Sequence, residues 1–266
     1  MTDAGPPRAM VAPLPPACAA PDAVAAFIRA LAHRERCAAG AAVLQHGAAT
    51  TEVCYPTPLA WPWPVQFDYV SEFFCTAPGA QSLREVASAP ASACAHVVNL
   101  FAGQPPSEEQ HFIEQGYLLA WTSTLLARPL TTAWSRPATP GAQVHGVADA
   151  QGMARFAKLP GISNPGAARD PFIHNVFATR GDEVVAKGQL VLLPGCAVAY
   201  VSDMFTHPAH RRRGLCHLVM QALEAKARAL GATHACLAPG QEVAAFGLYG
   251  KYGYTQAGVR AVLVRA

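Results

Sequence analysis

No two cysteines in this 266-residue chain are close enough to suggest a metal ribbon or a redox dithiol. There is no CxxC among its eight cysteines, and the nearest two, Cys37 and Cys54, are 17 residues apart. Isolated thiols of this kind read mostly as small buried hydrophobes. Charge is scarce as well. Charged residues make up 14% of the chain against 52% hydrophobic, which excludes wholesale disorder and leaves ample material for a core. The net charge of +3 is too small to mark a nucleic-acid binder. No apolar run approaches the ~18 residues needed to span a bilayer, and residues 189–201 come nearest before Pro194-Gly195 interrupts them. The first residues, Met1-Thr2-Asp3 and a Pro-rich stretch, lack the basic segment of a secretory signal. These absences predict a soluble, cytoplasmic protein without a membrane or nucleic-acid partner.

Length suggests one large or two ordinary domains at about 150 residues each. Residues 1–20 are Ala/Pro-rich and read as a flexible tail. Asp22 stands where it can cap a helix carrying Val24, Phe27, Ile28 and Leu31 on one face. Residues 55–64, dense in Pro and Trp, read as a loop because proline removes the amides a central strand needs. Strand patterns follow at 65–76, 95–101 and 117–127, with a helix at 107–115 that Ser107 and Gln110 can box. Arg128-Pro129 closes this half. Beyond it come a helix at 148–158, strands at 172–179, 184–193 and 197–205, a helix at 214–230, a strand at 233–237, a helix at 242–252 and a last strand at 254–264. Gly181-Asp182 marks a hairpin between two of these strands.

The two halves end alike. From His96 to Gly116-Tyr117 and from His234 to Gly253-Tyr254 the order is strand, helix, Gly-Tyr, strand, over 20 and 19 residues. The repetition suggests an ancient duplication; an unrelated N-terminal extension is the alternative.

Chemistry concentrates in residues 198–220, VAYVSDMFTHPAHRRRGLCHLVM. A β-branched strand runs into a loop with three consecutive arginines, and a glycine then opens a helix with Leu215, Leu218, Val219 and Ala222 on one face. A helix N-terminus presents unpaired amides at the positive end of its dipole, which suits phosphate. Gly214 lets the main chain approach closely, and Arg211, Arg212 and Arg213 match phosphate oxygens in charge and geometry. Neither GxxxxGK[ST] nor GxGxxG occurs, so the phosphate is not held as in a mononucleotide P-loop or a dinucleotide fold. His207 and His210 form an HxxH with Pro208 between them, which spoils a helical metal site, so exposed loop histidines and no metal are expected.

Arg211-Arg212-Arg213-Gly214-Leu215-Cys216 resembles the R/Q-x-x-G-x-G/A acyl-CoA pyrophosphate loop of the GCN5-related N-acetyltransferases (GNAT). Leu248-Tyr249-Gly250-Lys251-Tyr252-Gly253-Tyr254 is similar to the same family's L-Y-x-K-x-G-F/Y segment, and the spacing between the two fits. Cys216 departs from the usual glycine or alanine but is still small. The resemblance implies an α/β (α+β) fold with a mixed, mostly antiparallel twisted sheet flanked by helices. It places the catalytic, acetyl-CoA-binding domain at 130–266, with a degenerate copy of the same fold at 21–129.

The resemblance further implies that the strand with Met204, Phe205 and Thr206 binds the pantetheine arm of acetyl-CoA through its backbone, while Arg211–Arg213, Gly214, Leu215 and Cys216 hold the pyrophosphate. A backbone N–H near Met204 or Phe205 would stabilise the thioester oxygen, and an amine would attack the acyl carbonyl directly. A lysine-like amine, with a pKa of about 10.4, must lose a proton first. Asp203 is the candidate base, directly or through water, against a merely structural role; Tyr200 and Ser202 lie on the same strand. Tyr249 matches the family's tyrosine that returns a proton to the thiolate, against a core-packing role.

The expected activity is acetyl transfer from acetyl-CoA to a primary amine of a small molecule or peptide by a monomer or homodimer. The alternatives are a non-catalytic acyl-CoA-binding regulator and an interaction module without CoA. The N-terminal half has Pro78-Gly79-Ala80-Gln81-Ser82-Leu83 where the arginines should be, so no CoA is expected there. Trp61 and Trp63 are expected to seal the interface between the halves, with the lining of a pocket as the alternative.

Overall fold

The computed structural model describes residues 23–61, 67–101, 108–131, 139–161, 170–239 and 243–265. The expected tail, the Asp22 cap, Ser107 and Trp63 lie outside them. Eleven strands form one sheet in the order β1-β2-β3-β4-β11-β5-β10-β9-β8-β7-β6. The N-terminal half supplies β1 (Ala42–His46), β2 (Thr50–Trp61), β3 (Phe67–Cys75), β4 (His96–Leu100) and β5 (Leu118–Pro129). The C-terminal half supplies β6 (Ala142–Gly146), β7 (Ile173–Arg180), β8 (Glu183–Val191), β9 (Val198–Thr206), β10 (His234–Leu237) and β11 (Thr255–Arg265). The helices are α1 (Ala23–Ala39), α2 (Gly79–Ser88), α3 (Gln110–Ile113), α4 (Ala150–Phe156), α5 (Leu215–Ala229) and α6 (Val243–Lys251).

The order contains a symmetry. Read inward from the edge strand β1 on one side and from β7, which lies next to the edge strand β6, on the other, β1-β2-β3-β4-β11 matches β7-β8-β9-β10-β5, and in each set the third and fourth strands run parallel. The last strand of each half is exchanged. β4 pairs β11 with His96 opposite Arg265, while β10 pairs β5 with His234 opposite Pro129. The two histidines of the sequence repeat thus occupy equivalent register positions. The two exchanged strands, β5 and β11, pair with each other along the middle of the sheet.

Three apolar layers cover this sheet. On one face of the C-terminal half, α5 buries Leu215, Val219, Met220, Leu223 and Ala227 against Ala199, Val201 and Ala235. On the opposite face, α1 brings Phe27 and Leu31 into one core with Val198, Tyr200 and Cys236, so a helix from the N-terminal half rests on β9. α4 adds Met153 and Phe156 to that layer; Asp149 starts it by accepting a hydrogen bond from Gly152 N at 2.7 Å. Under α2 and α3 lie Phe73, Val98, Leu100 and Leu263.

Residues 55–61 are strand, not the predicted loop. β2 pairs β1 only as far as Cys54, and its ladder to β3 skips from Cys54 to Leu59. Pro56 and Pro58 therefore fall in an edge-strand irregularity where no amide is needed. Among the described cysteines the expected burial holds for Cys75 and Cys236; Cys37, Cys54, Cys196 and Cys216 are partly covered, and Cys94 is exposed. No described helix is long and apolar enough to cross a membrane.

Candidate active site

A bulge in β9 sets the geometry of the site. The β8–β9 ladder runs Lys187 opposite Phe205 and Gln189 opposite Ser202, so β9 carries one residue more than β8 across this interval. The extra residue is absorbed at Asp203, whose φ of 52° is left-handed. Gly188 faces the bulge, and a Cβ there would run into Met204 Sδ. The break in alternation turns Ser202 and Asp203 towards the same face. Ser202 Oγ donates to Gln189 Oε1 at 3.3 Å, and Gln189 in turn donates to Asn175 Oδ1 at 2.8 Å. Asp203 Oδ2 lies 3.0 Å from Nζ of Lys187, a fully buried lysine whose ammonium also sits 4.4 Å from the Phe156 ring centroid. Met204 packs beneath α5 instead.

Beyond the bulge the sheet opens. β10 accompanies β9 only from Val198 to Tyr200, which leaves the 202–206 segment unpaired by β10 along that edge. An extended ligand can be hydrogen-bonded there as an added strand.

β9 leads to α5 through a short turn. Arg212 (φ 64°) and Gly214 (φ 81°) are both left-handed, and alternating handedness points successive N–H groups into one concavity. No side chain caps α5, its first turn holds no acidic residue, and its first helical bond, from Leu218 N, reaches back to Gly214 O. The amides of Leu215, Cys216 and His217 precede that bond. Arg211, Arg212 and Arg213 are exposed around this end; Arg211 Nε also donates to Thr206 O at 3.2 Å, fixing the turn. Thr139 Oγ1 stands 3.2 Å from where a Cβ on residue 214 would sit. Uncapped amides at a helix start beside three arginines are an arrangement that suits an anion such as phosphate.

Tyr249 is buried in the layer beneath α5, its ring 6.0 Å from that of Tyr254. Burial, and then the neighbouring Cys216, push its phenol well above the usual value, so it stays protonated. Burial also lifts the Cys216 thiol to about 11, which leaves it unreactive at neutral pH. Tyr254 donates to Glu224 Oε1 at 2.9 Å and Tyr252 meets His217 edge-on, packing roles in both cases. Tyr200 is enclosed by Phe27, with ring centroids 5.0 Å apart, and by the Arg34 guanidinium 5.9 Å from its centroid. His207 and His210 are partly covered, not exposed as expected, and His210 Nε2 meets Glu183 Oε2 at 3.1 Å.

The equivalent place in the N-terminal half is closed. β3 and β4 stay paired through Cys75 opposite Leu100, and Phe101 N continues to Cys75 O at 2.8 Å. At the start of α2, Gly79 N donates to Glu108 Oε2 at 2.6 Å, so a side-chain carboxylate fills the anion position. The Glu108 carbonyl also occupies the space where a Cβ on residue 79 would lie.

Sequence reasoning missed Lys187, Thr139 and Arg34. A lone lysine in the apolar run 184–193, directly before a glycine, was a readable signal; the other two reach the site from distant segments.

The model of the acetyltransferase (GNAT) family matches residues 140–254. No curated protein matches the chain. Solved structures with a similar fold include a GCN5-related N-acetyltransferase from Kribbella flavida, at TM-score 0.63 and 18% identity over 90% of this chain and 95% of that one. A conserved protein of unknown function from Staphylococcus epidermidis ATCC 12228 gives 0.57 at 12% identity, over 85% and 94%. A tandem GNAT protein from the clavulanic acid biosynthesis pathway gives 0.54 at 10% identity, over 90% and 94%. These likenesses span both halves and concern the fold. The β9 bulge, the opened edge and the arginine turn all lie inside residues 140–254, the segment that matches the acetyltransferase (GNAT) family model.

Proposed function

We propose that this protein transfers an acetyl group from acetyl-CoA to a primary amine of a small molecule or peptide. The observation that carries the reading is the β9–α5 junction, where an unpaired strand edge runs directly into a left-handed turn and an uncapped helix start. The residues there suit acetyl-CoA, which supplies the activated acyl group. The amides at Gly214, Leu215 and Cys216 and the guanidinium groups of Arg211, Arg212 and Arg213 hold the pyrophosphate. The backbone of Met204, Phe205 and Thr206 takes the pantetheine arm as an added strand. An N–H at Met204 or Phe205 polarises the thioester carbonyl.

Tyr249, kept protonated by burial, returns a proton to the departing thiolate. Asp203 draws in the acceptor ammonium and takes its proton, directly or through water. Its carboxylate does so from a position fixed by the Lys187 ammonium 3.0 Å away. Residues 130–266 form the catalytic domain and 21–129 a worn copy that walls the acceptor side through α1, giving one cosubstrate site per chain. The protein works in the cytoplasm as a monomer or homodimer.

Thermal unfolding with acetyl-CoA tests this. Ligand at 100 times its Kd stabilises by roughly 2.7 kcal/mol, and Arg211→Glu with Arg213→Glu is expected to abolish the shift. CoA release with a panel of amines then measures turnover. A shift without release by any amine favours a non-catalytic acyl-CoA binder, and no shift favours an interaction module.

A further inference from the structure

Away from this site, α1 and the segment leading into β7 bring three ligand-type atoms to one point. His33 Nε2 lies 3.0 Å from Asp170 Oδ2, Cys37 Sγ lies 3.2 Å from the same oxygen, and Cys37 Sγ lies 3.6 Å from His33 Nε2. His33 and Cys37 are one helical turn apart, so they project from one face of α1. Asp170 is held for its part, because its other oxygen accepts from Phe172 N at 2.8 Å and the Phe172 ring packs edge-on to His33. All three side chains are largely covered, with His33 10% and Asp170 15% exposed.

A tetrahedral zinc ion with bonds of about 2.3 Å to sulfur and about 2.0–2.1 Å to nitrogen and oxygen has edges of about 3.3 Å for N···O and about 3.5 Å to sulfur. The observed triangle departs from those edges by about 0.3 Å or less, a shift that small side-chain rotations supply.

We infer that His33, Cys37 and Asp170 form a binding site for a divalent transition-metal ion of the zinc class, clamping α1 to the C-terminal half.

The proton balance is explicit. Arg36 Nη2 lies 3.2 Å from His33 Nδ1, and a guanidinium only donates, so Nδ1 accepts and Nε2 carries the proton in the metal-free state. Two hydrogens, Nε2–H and Sγ–H, then point at one carboxylate oxygen, where a cation can replace both. On metal binding the thiol proton leaves to solvent, the imidazole proton moves to Nδ1, and the exposed Arg36 swings away. Burial, then the nearby carboxylate, hold the metal-free thiol up at about 11, which argues against a nucleophilic or redox role for Cys37. Thiolate, imidazole and carboxylate together suit zinc over magnesium or calcium. Three protein ligands leave the fourth position to water. The expectation of no metal rested on sequence spacing, and Asp170 lies 133 residues from Cys37.

The test uses the full-length, tag-free protein, stripped with a chelator and titrated with Co2+ and then Zn2+. One equivalent of Co2+ should give tetrahedral visible bands and a thiolate-to-cobalt charge-transfer band, Zn2+ should displace it, and about one proton should be released per metal. Cys37→Ser should lose the charge-transfer band, and Asp170→Asn should weaken Zn2+ binding at least about tenfold. Arg36→Ala should tighten it by roughly two- to fivefold, an effect a plain hydrogen-bond cluster cannot give. His207→Ala with His210→Ala should leave the binding unchanged, which separates this site from Glu183, His207 and His210, a second group of ligand-type atoms that lie close together. A charge-transfer band unchanged in Cys37→Ser, or no saturable Zn2+ binding at micromolar concentration, overturns the inference. None of these readouts depends on acetyl transfer. Should Cys37→Ser not fold, the Asp170→Asn and Arg36→Ala titrations decide.

Discussion

A buried ammonium 3.0 Å from the carboxylate of a left-handed residue serves two purposes that substitution can separate. Lys187 holds Asp203 in an unfavourable backbone conformation, and Asp203 in turn neutralises a lysine that has no exposure. Asp203→Asn removes the charge facing Lys187 and is expected to destabilise by about 3–5 kcal/mol, as for other broken buried pairs. Adding Lys187→Met should recover most of that loss in urea unfolding, because an apolar side chain of similar volume no longer needs a counter-charge. If Asp203 acts on the acceptor amine, the double variant regains stability without regaining turnover. Recovery of both would reduce Asp203 to a structural partner. Tyr249 answers to a different measurement. Since burial keeps its phenol protonated through neutral pH, Tyr249→Phe should lower kcat by about 10²-fold or more while the KM for acetyl-CoA stays near the parent value. An unchanged kcat removes Tyr249 from the mechanism.

At the scale of single elements, the β8–β9 bulge is the feature most sensitive to one added carbon. A Cβ at residue 188 would meet Met204 Sδ, with Leu223 Cδ1 at 2.9 Å and Val219 Cγ1 at 3.0 Å, so bulge and helix cannot both keep their places. Gly188→Ala is therefore expected to destabilise by about 1–3 kcal/mol, the usual range for overpacking. It should lower turnover more than acetyl-CoA affinity, because the arginine turn proposed to hold the pyrophosphate lies downstream of the bulge. Equal losses in both would mean that β9 and the turn move as one piece. The elements of the site were legible because their signals are local: a β-branched strand, an arginine turn, a helix-opening glycine and the Gly-Tyr that precedes the last strand lie within 57 residues, 198–254. The bulge was not, since it depends on how Gly188 and Met204 meet across two strands. β2 was misread because Pro56 and Pro58 forbid a central strand, and sequence does not tell a central strand from an edge. The triad of His33, Cys37 and Asp170 was invisible for the same kind of reason. Its spacing exists only in space.

Over the whole molecule, the exchange of last strands makes the two halves interdependent. β5 belongs by sequence to the N-terminal half, yet it fills the slot between β10 and β11. Its end is tied in by Arg128, which donates to Tyr252 O at 2.8 Å, approaches Glu224 Oε2 at 3.5 Å and lies 5.9 Å from the Tyr254 ring centroid. Glu224 is fully enclosed and also accepts from Tyr254, so these contacts join an N-terminal strand, α5 and the residues that lead into the last strand of the chain. Arg128→Met is expected to destabilise by about 3 kcal/mol, because Glu224 loses a charged neighbour in a place that water does not reach. Pairing it with Glu224→Gln should return part of that stability. Because β4 needs β11 and β10 needs β5, the loss should fall on the molecule as a unit. Urea unfolding followed by tryptophan fluorescence, to which Trp121 on the exchanged strand contributes, and by far-UV circular dichroism should give one coincident transition in the parent and in Arg128→Met, displaced to lower urea in the variant. Two separated transitions would show that each half holds together without the other's strand, and the exchanged sheet would then be a docking of finished domains rather than a shared core.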